Sequence, residues 1–275
     1  MKTLTVKGTV FGEGMPKICL PIMGKTESEI METAGRISGL PHDVVEWRAD
    51  AFQHFSSHRQ VLHILAALRQ VLPDSLLLFT FRTLREGGKH DISDEAYLAL
   101  NEAVIRSSLA DFVDLELFTG TEAVAAAELP APEDSLLAPL ISLARQTQVQ
   151  TILSSHDFAK TPPMGELLER LSAMEALGCS IAKLAVMPHK KKDVLTLLSA
   201  TLEASECLDC PVITMSMGAL GVISRICGEF FGSCLTFGNP GEASAPGQPD
   251  AETLSANLRE LHGIWGTAAP DRSPS

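Results

Sequence analysis

Positive charge is in short supply in this chain. Its 22 lysines and arginines stand against 34 aspartates and glutamates, giving a formal net charge of −12 and a pI near 5.1. That balance argues against nucleic acid or an anionic membrane as the main partner, yet a small anionic substrate could still be held by local basic residues. No apolar run approaches the roughly 18 residues needed to cross a bilayer. The segment Met1–Lys7 also lacks the apolar core of a secretion signal. The expected protein is soluble and cytoplasmic. Metal-ligand spacing is missing as well: Cys207 and Cys210 form a lone C-x-x-C, with no second such pair and no matching pair of histidines. A redox pair of this spacing would open a helix after a strand, whereas this one precedes an expected strand, which favours a structural reading. Cys19, Cys179, Cys227 and Cys234 sit among apolar neighbours and read as small core residues. No G-x-G-x-x-G follows the first long strand, so dinucleotide binding has no support.

What the chain does have is apolar material in a regular order. Hydrophobic residues make up 45% of its 275 positions, and the mean hydropathy of +0.14 is ample for one large core. Residues 3–14 read as a hairpin, with Leu4, Val6 and Val10 alternating and glycines at the turns. Apolar strands then alternate with amphipathic helices. The strands fall at Ile18–Met23, Val44–Asp50, Leu76–Arg82, Phe112–Leu117, Thr151–His156, Ile181–Met187, Val212–Met217 and Leu235–Gly238. Helical periodicity covers Glu27–Ser38, Arg59–Leu72, Asp94–Ser107, Ser135–Gln146, Gly165–Leu177, Lys191–Glu203 and Ala251–His262, and partly the linker Gly218–Gly228. Such an order predicts an α/β fold, a (β/α)8 TIM barrel with the N-terminal hairpin closing its bottom. Residues 1–263 are expected to form a single catalytic domain. The segment 264–275, with Pro270, Pro274 and small polar residues, is expected to be a disordered tail.

Side chains two apart on a strand point the same way, and the polar residues here share a parity. Glu46, Arg48 and Asp50 face together, as do Asp114 and Glu116, and Ser154 and His156. The opposite parity is apolar and must meet the helices, so the charged set points into the barrel. Arg48, Asp50, Arg82 and His156 also end their strands, at the face where barrel active sites are built. An interior network of structural ion pairs is the competing reading, although taking each charge out of water costs several kcal/mol unless it is well paired.

Two residues point to specific chemistry. Lys183 interrupts the apolar run Ile181–Met187, where desolvation would favour the free amine, the form that attacks carbonyls to give a Schiff base. Pairing with a buried carboxylate, or snorkelling of the head to solvent, would equally explain it. His156 is the one histidine of eight that ends a strand on the polar parity, and an imidazole can take and return a proton near neutral pH.

These residues resemble the type I 3-dehydroquinate dehydratases, the Schiff-base enzymes of the shikimate pathway, from about Lys17 to His262. The likeness is carried by Glu46-Trp-Arg-Ala-Asp50, Phe79-Thr-Phe-Arg-Thr-Leu-Arg-Glu-Gly-Gly88, Asp114-Leu-Glu116, Ser154-Ser-His-Asp-Phe158 and Ala182-Lys183. It continues through Met215-Ser-Met-Gly218, Ser224-Arg225, Leu235-Thr-Phe237 and Ser244-Ala-Pro-Gly-Gln248. The resemblance implies dehydration of 3-dehydroquinate to 3-dehydroshikimate with no metal and no organic cofactor, in a homodimer. It assigns Lys183 to the imine, His156 to proton transfer, and Glu86 to orienting His156. Arg225 would clamp the substrate carboxylate, while Glu46, Arg48, Arg82, Ser244 and Gln248 would contact hydroxyls and carboxylate, with Met215 and Phe237 as apolar walls. The loop Gly238–Gln248 would close over substrate as a lid. Two other readings stay open: a class I aldolase, which also uses a strand lysine but handles phosphorylated substrates, and a barrel that binds without catalysis.

Overall fold

The computed structural model describes residues 2–121, 129, 131–241 and 247–268. A short antiparallel hairpin, β1 (Leu4–Val6) and β2 (Thr9–Phe11), comes first. Its turn residues Lys7 and Gly8 both have positive φ, the backbone that matches a two-residue turn to the twist of a hairpin. Eight parallel strands follow: β3 (Lys17–Ile22), β4 (Val44–Arg48), β5 (Leu76–Thr80), β6 (Phe112–Glu116), β7 (Gln150–Asp157), β8 (Ile181–Val186), β9 (Val212–Ser216) and β10 (Leu235–Phe237). They lie in the order β10-β3-β4-β5-β6-β7-β8-β9. Between β9 and β10 the Cys234 amide donates to the Val212 carbonyl at 2.8 Å, and Ser233 Oγ accepts from the Thr214 amide at 3.0 Å. These contacts bring the last edge back to the first, and the sheet is a nearly closed (β/α)8 barrel.

The helices are α1 (Glu27–Ile37), α2 (His58–Val71), α3 (Asp94–Ser107), α4 (Ala138–Thr147), α5 (Met164–Leu177), α6 (Lys191–Cys207), α7 (Val222–Ile226), α8 (Gly228–Phe231) and α9 (Ala251–Ala268). Local chemistry sets several of their ends. Thr26 and Glu29 cap α1 reciprocally, Ser93 accepts from the Ala96 amide at the start of α3, and Pro139 sits in the first turn of α4. Helix α9 runs past the expected boundary at 263, so Ile264–Ala268 are helical where a tail was expected to begin. The first proline able to stop that helix is Pro270. Residues 269–275, the rest of the expected tail, lie outside the described residues. No helix among the described residues is long and apolar enough to cross a membrane.

The parity expected from the sequence divides the core into two layers. One parity, including Val45, Trp47, Leu77, Phe79, Val113, Leu115, Leu153 and Leu184, packs outward against helical residues such as Ile30, Leu65, Leu100 and Leu167. The other, including Val44, Leu76, Leu78, Phe112, Ile152 and Ile181, fills the lower barrel interior. The hairpin contributes Val6 and Phe11 to that inner layer, with Phe11 edge-on to Phe112 at 5.4 Å between ring centres. It closes the bottom of the barrel, as expected. Cys210 is not grouped with the exposed Cys207; it is buried, with its sulfur 4.0 Å from that of Cys179.

Candidate active site

Above the apolar floor the same inward parity turns polar. Strand register places Ser154 beside Lys183 and His156 beside Ala185, so the imidazole stands one step nearer the mouth than the lysine. Both line a cavity of about 200 Å³ at the C-terminal ends of the strands, together with Glu46, Arg48, Arg82, Glu86, Arg225, Met215, Phe237 and Gln248. Every site position expected from the sequence, among the described residues, therefore reaches one cavity. Ser244 lies outside the described residues, with the rest of 242–246 in the expected lid.

The lysine is not the bare amine that an apolar strand suggested. Lys183 Nζ donates to Asp114 Oδ2 at 2.8 Å, with only 4% of its side chain exposed, and stands 4.9 Å from the centre of the Phe237 ring. The partner comes from β6, with β7 between, so nothing on the lysine's own strand announced it. Asp114 is itself tied down. Its Oδ1 accepts from Arg82 at 2.7 Å and from Ser154 Oγ at 2.6 Å. Burial alone would raise the Asp114 pKa, but the Arg82 and Lys183 charges outweigh it and hold the carboxyl far below the usual range.

Arg82 is the hub of the interior. Besides Asp114, its guanidinium donates to Glu116 Oε1 at 2.9 Å and Ser154 Oγ at 3.0 Å, and it lies 3.7 Å from Glu86. Burial would lower its pKa, yet Asp114, Glu116 and Glu86 together keep it well above the free value. Glu116 also accepts from the backbone amide and hydroxyl of Thr83, which anchors the chain leading to Glu86. Beyond Glu86 the chain reverses through Gly87 at φ +85°. Any Cβ on Gly88 would collide with the Arg82 carbonyl, so only glycine lets the turn lie this close.

That turn aims Glu86 at the histidine. Its Oε2 accepts from the His156 backbone amide at 3.0 Å and lies 2.8 Å from Nδ1. Placing the ring proton on Nδ1 satisfies this contact and leaves the Nε2 lone pair for a substrate. Burial, then the nearby Arg82 and Lys183 cations, push the His156 pKa well below that of free imidazole. The neutral ring is thus the resting form, and a neutral ring is a base. Burial and Glu116 push the Glu86 pKa up, against the pull of Arg82.

Two further arginines edge the cavity. Arg48 forms a two-pronged pair with Asp50, at 2.7 and 2.9 Å, and Asp50 also accepts from the Lys89 amide, which fixes the arginine's fork. Arg225, on α7, is 1% exposed, with one nitrogen 3.7 Å from Met215 Sδ; burial pulls its pKa down to about 10. Glu46 accepts from Thr80 Oγ1 at 2.9 Å. Asp114, Ser154, Glu116 and Asp50, which parity turns inward but to which the sequence reading gives no individual role, hold the side chains that line the cavity.

An interior of this kind can hold a carboxylated ring, add an amine to its ketone, and move a proton beside that ketone. Comparison with known proteins bears on which ring. The family model described as type I 3-dehydroquinase matches residues 18–264. A 3-dehydroquinate dehydratase of Bacillus subtilis is 45% identical over 263 residues, covering 95% of this chain and 98% of its own. One from Salmonella agona is also 45% identical over 263 residues, covering 95% and 99%. Among solved structures, a type I 3-dehydroquinate dehydratase of Clostridium difficile, determined with covalently modified comenic acid, superposes with a TM-score of 0.88 at 42% identity. That match spans 96% of this chain and all of the other. The carboxyl transferase domain of Rhizobium etli pyruvate carboxylase, at 14% identity and a TM-score of 0.61, shares the fold alone. Matched along nearly its whole length, the chain belongs to the type I 3-dehydroquinase family.

Proposed function

We propose that the protein is a 3-dehydroquinate dehydratase, a carbon–oxygen lyase acting through an imine on Lys183. One observation carries the proposal: Lys183 Nζ and a neutral imidazole oriented by a carboxylate share one cavity, a step apart on adjacent strands. The Lys183 nitrogen adds to the ring ketone and expels water, leaving a cationic carbon–nitrogen double bond that draws electrons from the adjacent C–H. His156 Nε2 takes that proton and passes it to the departing hydroxyl, which leaves as water. Water then releases the product from Lys183. Glu86 holds the ring upright and balances the imidazolium. Arg225 offers a planar fork of donors to the substrate carboxylate. Glu46, Arg48, Gln248 and Ser244 are assigned to hydroxyls and carboxylate. Arg82 is assigned to the site through Asp114 and Glu86, because its donors already serve those carboxylates. Met215 and Phe237 form walls that keep water from the iminium.

The same reading has residues 1–263 act as one catalytic domain, supported by a family match over residues 18–264. It has the protein work in the cytoplasm as a homodimer. Exposed apolar side chains support a covered face: Leu195 and Leu202 on α6, and Leu220 and Ile223 after β9. Borohydride added with 3-dehydroquinate tests the chemistry. The expected result is loss of activity with a reduced adduct mapping to Lys183; unmodified lysine with undiminished turnover would overturn the proposal.

A further inference from the structure

We propose that Asp114 is the fixed counter-ion of the Lys183 imine, holding that nitrogen protonated throughout turnover rather than moving protons itself. The inference rests on the imine reading above and goes beyond it by assigning a role to a carboxylate that needs no contact with substrate.

Charge balance gives the reason. An ammonium and a ketone form an iminium and water, so one positive charge sits on Nζ before and after. The Asp114 ion pair therefore survives imine formation. When His156 removes the neighbouring proton, the nitrogen becomes a neutral enamine N–H and the positive charge passes to the imidazole. When the imidazolium returns the proton to the leaving hydroxyl, the conjugated iminium re-forms at Nζ. A single charge thus alternates between two places, each backed by a carboxylate: Asp114 at 2.8 Å from Nζ, and Glu86 at 2.8 Å from Nδ1 of His156.

An imine without its proton is a poor electron sink, so whatever keeps it protonated sets the alkaline limit of the reaction. The surroundings of Nζ single out Asp114. From β4, Glu46 is hydrogen-bonded to Thr80, and Arg48 is paired with Asp50. From β6, Glu116 is committed to Arg82 and Thr83. Glu86 faces His156 of β7, Arg225 adds a further cation from α7, and β3 contributes only the buried thiol of Cys19. On the β9 and β10 side stand Met215 and the Phe237 ring, which carry no charge. Among the described residues, Asp114 is the one carboxylate in direct contact with Nζ. It is not built as a base, since Arg82 and Ser154 already donate to its other oxygen and the Arg82 and Lys183 charges hold it ionised.

The test follows iminium protonation directly. The wild-type protein is incubated with 3-dehydroquinate at a series of pH values and quenched with cyanoborohydride, which reduces only the protonated form. Parallel samples are quenched with borohydride, which reduces the neutral imine as well, and adducts are counted by mass. With Asp114→Asn, the pH at which cyanoborohydride trapping fails is expected to fall by about two units, the shift that loss of one close opposite charge produces. The alkaline limb of kcat should move by the same amount, with activity partly recovered at lower pH. Equal midpoints in the two proteins would overturn the role of Asp114 while leaving the imine intact. An absence of adduct under either reagent in the wild type would overturn the imine reading itself. Should Asp114→Asn fail to fold, the wild type decides alone. Its adduct with a carboxylated cyclohexanone lacking the leaving hydroxyl should show a carbon–nitrogen stretch that shifts in heavy water even at mildly alkaline pH, the mark of a protonated imine. No isotope shift would mean a neutral imine and would sink the proposal.

Discussion

The lower and upper halves of the barrel interior are built from the same strands and the same side-chain parity, yet they have opposite chemistry. Below lie Val44, Leu76, Phe112, Ile152 and Ile181, sealed by Phe11 of the hairpin. Above lie Arg82, Asp114, Glu116, Lys183 and the His156–Glu86 pair, all buried or nearly so. On β8 the border falls between Ile181 and Lys183, two residues apart. The floor supplies stability, because apolar side chains gain by leaving water. The ceiling gives some of it back, since each charge must be desolvated and then matched. A fold that maximised stability would continue the floor upward, so the charged layer points to function. The comparison makes a sharp demand: changes in the ceiling should act on rate or on charge balance, and changes in the floor on stability alone.

The largest effect is expected from His156→Ala. It removes the group that serves in two successive proton transfers, so kcat should drop by about 10⁴-fold or more, at or beyond the top of the range for one acid–base group. The melting temperature should change little, because the lost ring is neutral and Glu86 keeps the backbone amide of residue 156 and the nearby Arg82. The wild-type pH profile sharpens the same point. His156 must be neutral to act as base and its pKa is depressed, so kcat/KM should rise as pH climbs through that low value and be flat through neutrality. An acid limb at or above the ordinary imidazole value of about 6.5 would mean that another group is being read.

Next comes Arg82→Met, which removes the hub and keeps its bulk. Asp114, Glu116 and Glu86 would then share a dry interior with far less positive charge, and breaking a buried pair in this way destabilises by about 3–5 kcal/mol. Denaturant unfolding checks it. Stability within about 1 kcal/mol of wild type would show that water enters the ceiling freely and that the two halves differ less than their side chains imply.

How much of this could be read from the chain follows the same division. Parity is local, so Asp114-Leu-Glu116 and Ser154-Ser-His156 disclosed on their own that charged groups face inward, and Val45, Trp47, Phe79 and Leu153 disclosed the outer layer. Lys183 and His156 stand out by their places on the strands, Glu86 only through the family motifs, and all three line the cavity. What stayed hidden were the pairings. Lys183 looked isolated because its own strand is apolar, and its partner Asp114 lies 69 residues away, on a strand that is not its neighbour. Arg82 lines the cavity, but its pairings with Asp114 and Glu116 had no local signal. Such contacts cross the barrel, and they depend on closure and stagger rather than on any local period. The end of α9 was misjudged for a simpler reason: small polar residues were weighed as a tail, while the helix can run on until a proline approaches.

The smallest effect is the most searching test of the border. Ile181 sits fully buried in the floor, on the same face as Lys183 and one step below it. Ile181→Val deletes one methyl group and leaves a small void, which should lower stability by about 0.5–1.5 kcal/mol. If floor and ceiling are separable, kcat and the yield of borohydride adduct on Lys183 stay at wild-type values, because the Asp114 contact and the Phe237 ring fix the lysine from above and beside. A fall in kcat of about tenfold, worth ~1.4 kcal/mol in the barrier, would show otherwise. The packing beneath Lys183 would then be setting the reach of Nζ toward the ketone, and the apolar floor would belong to the catalytic machinery as its support.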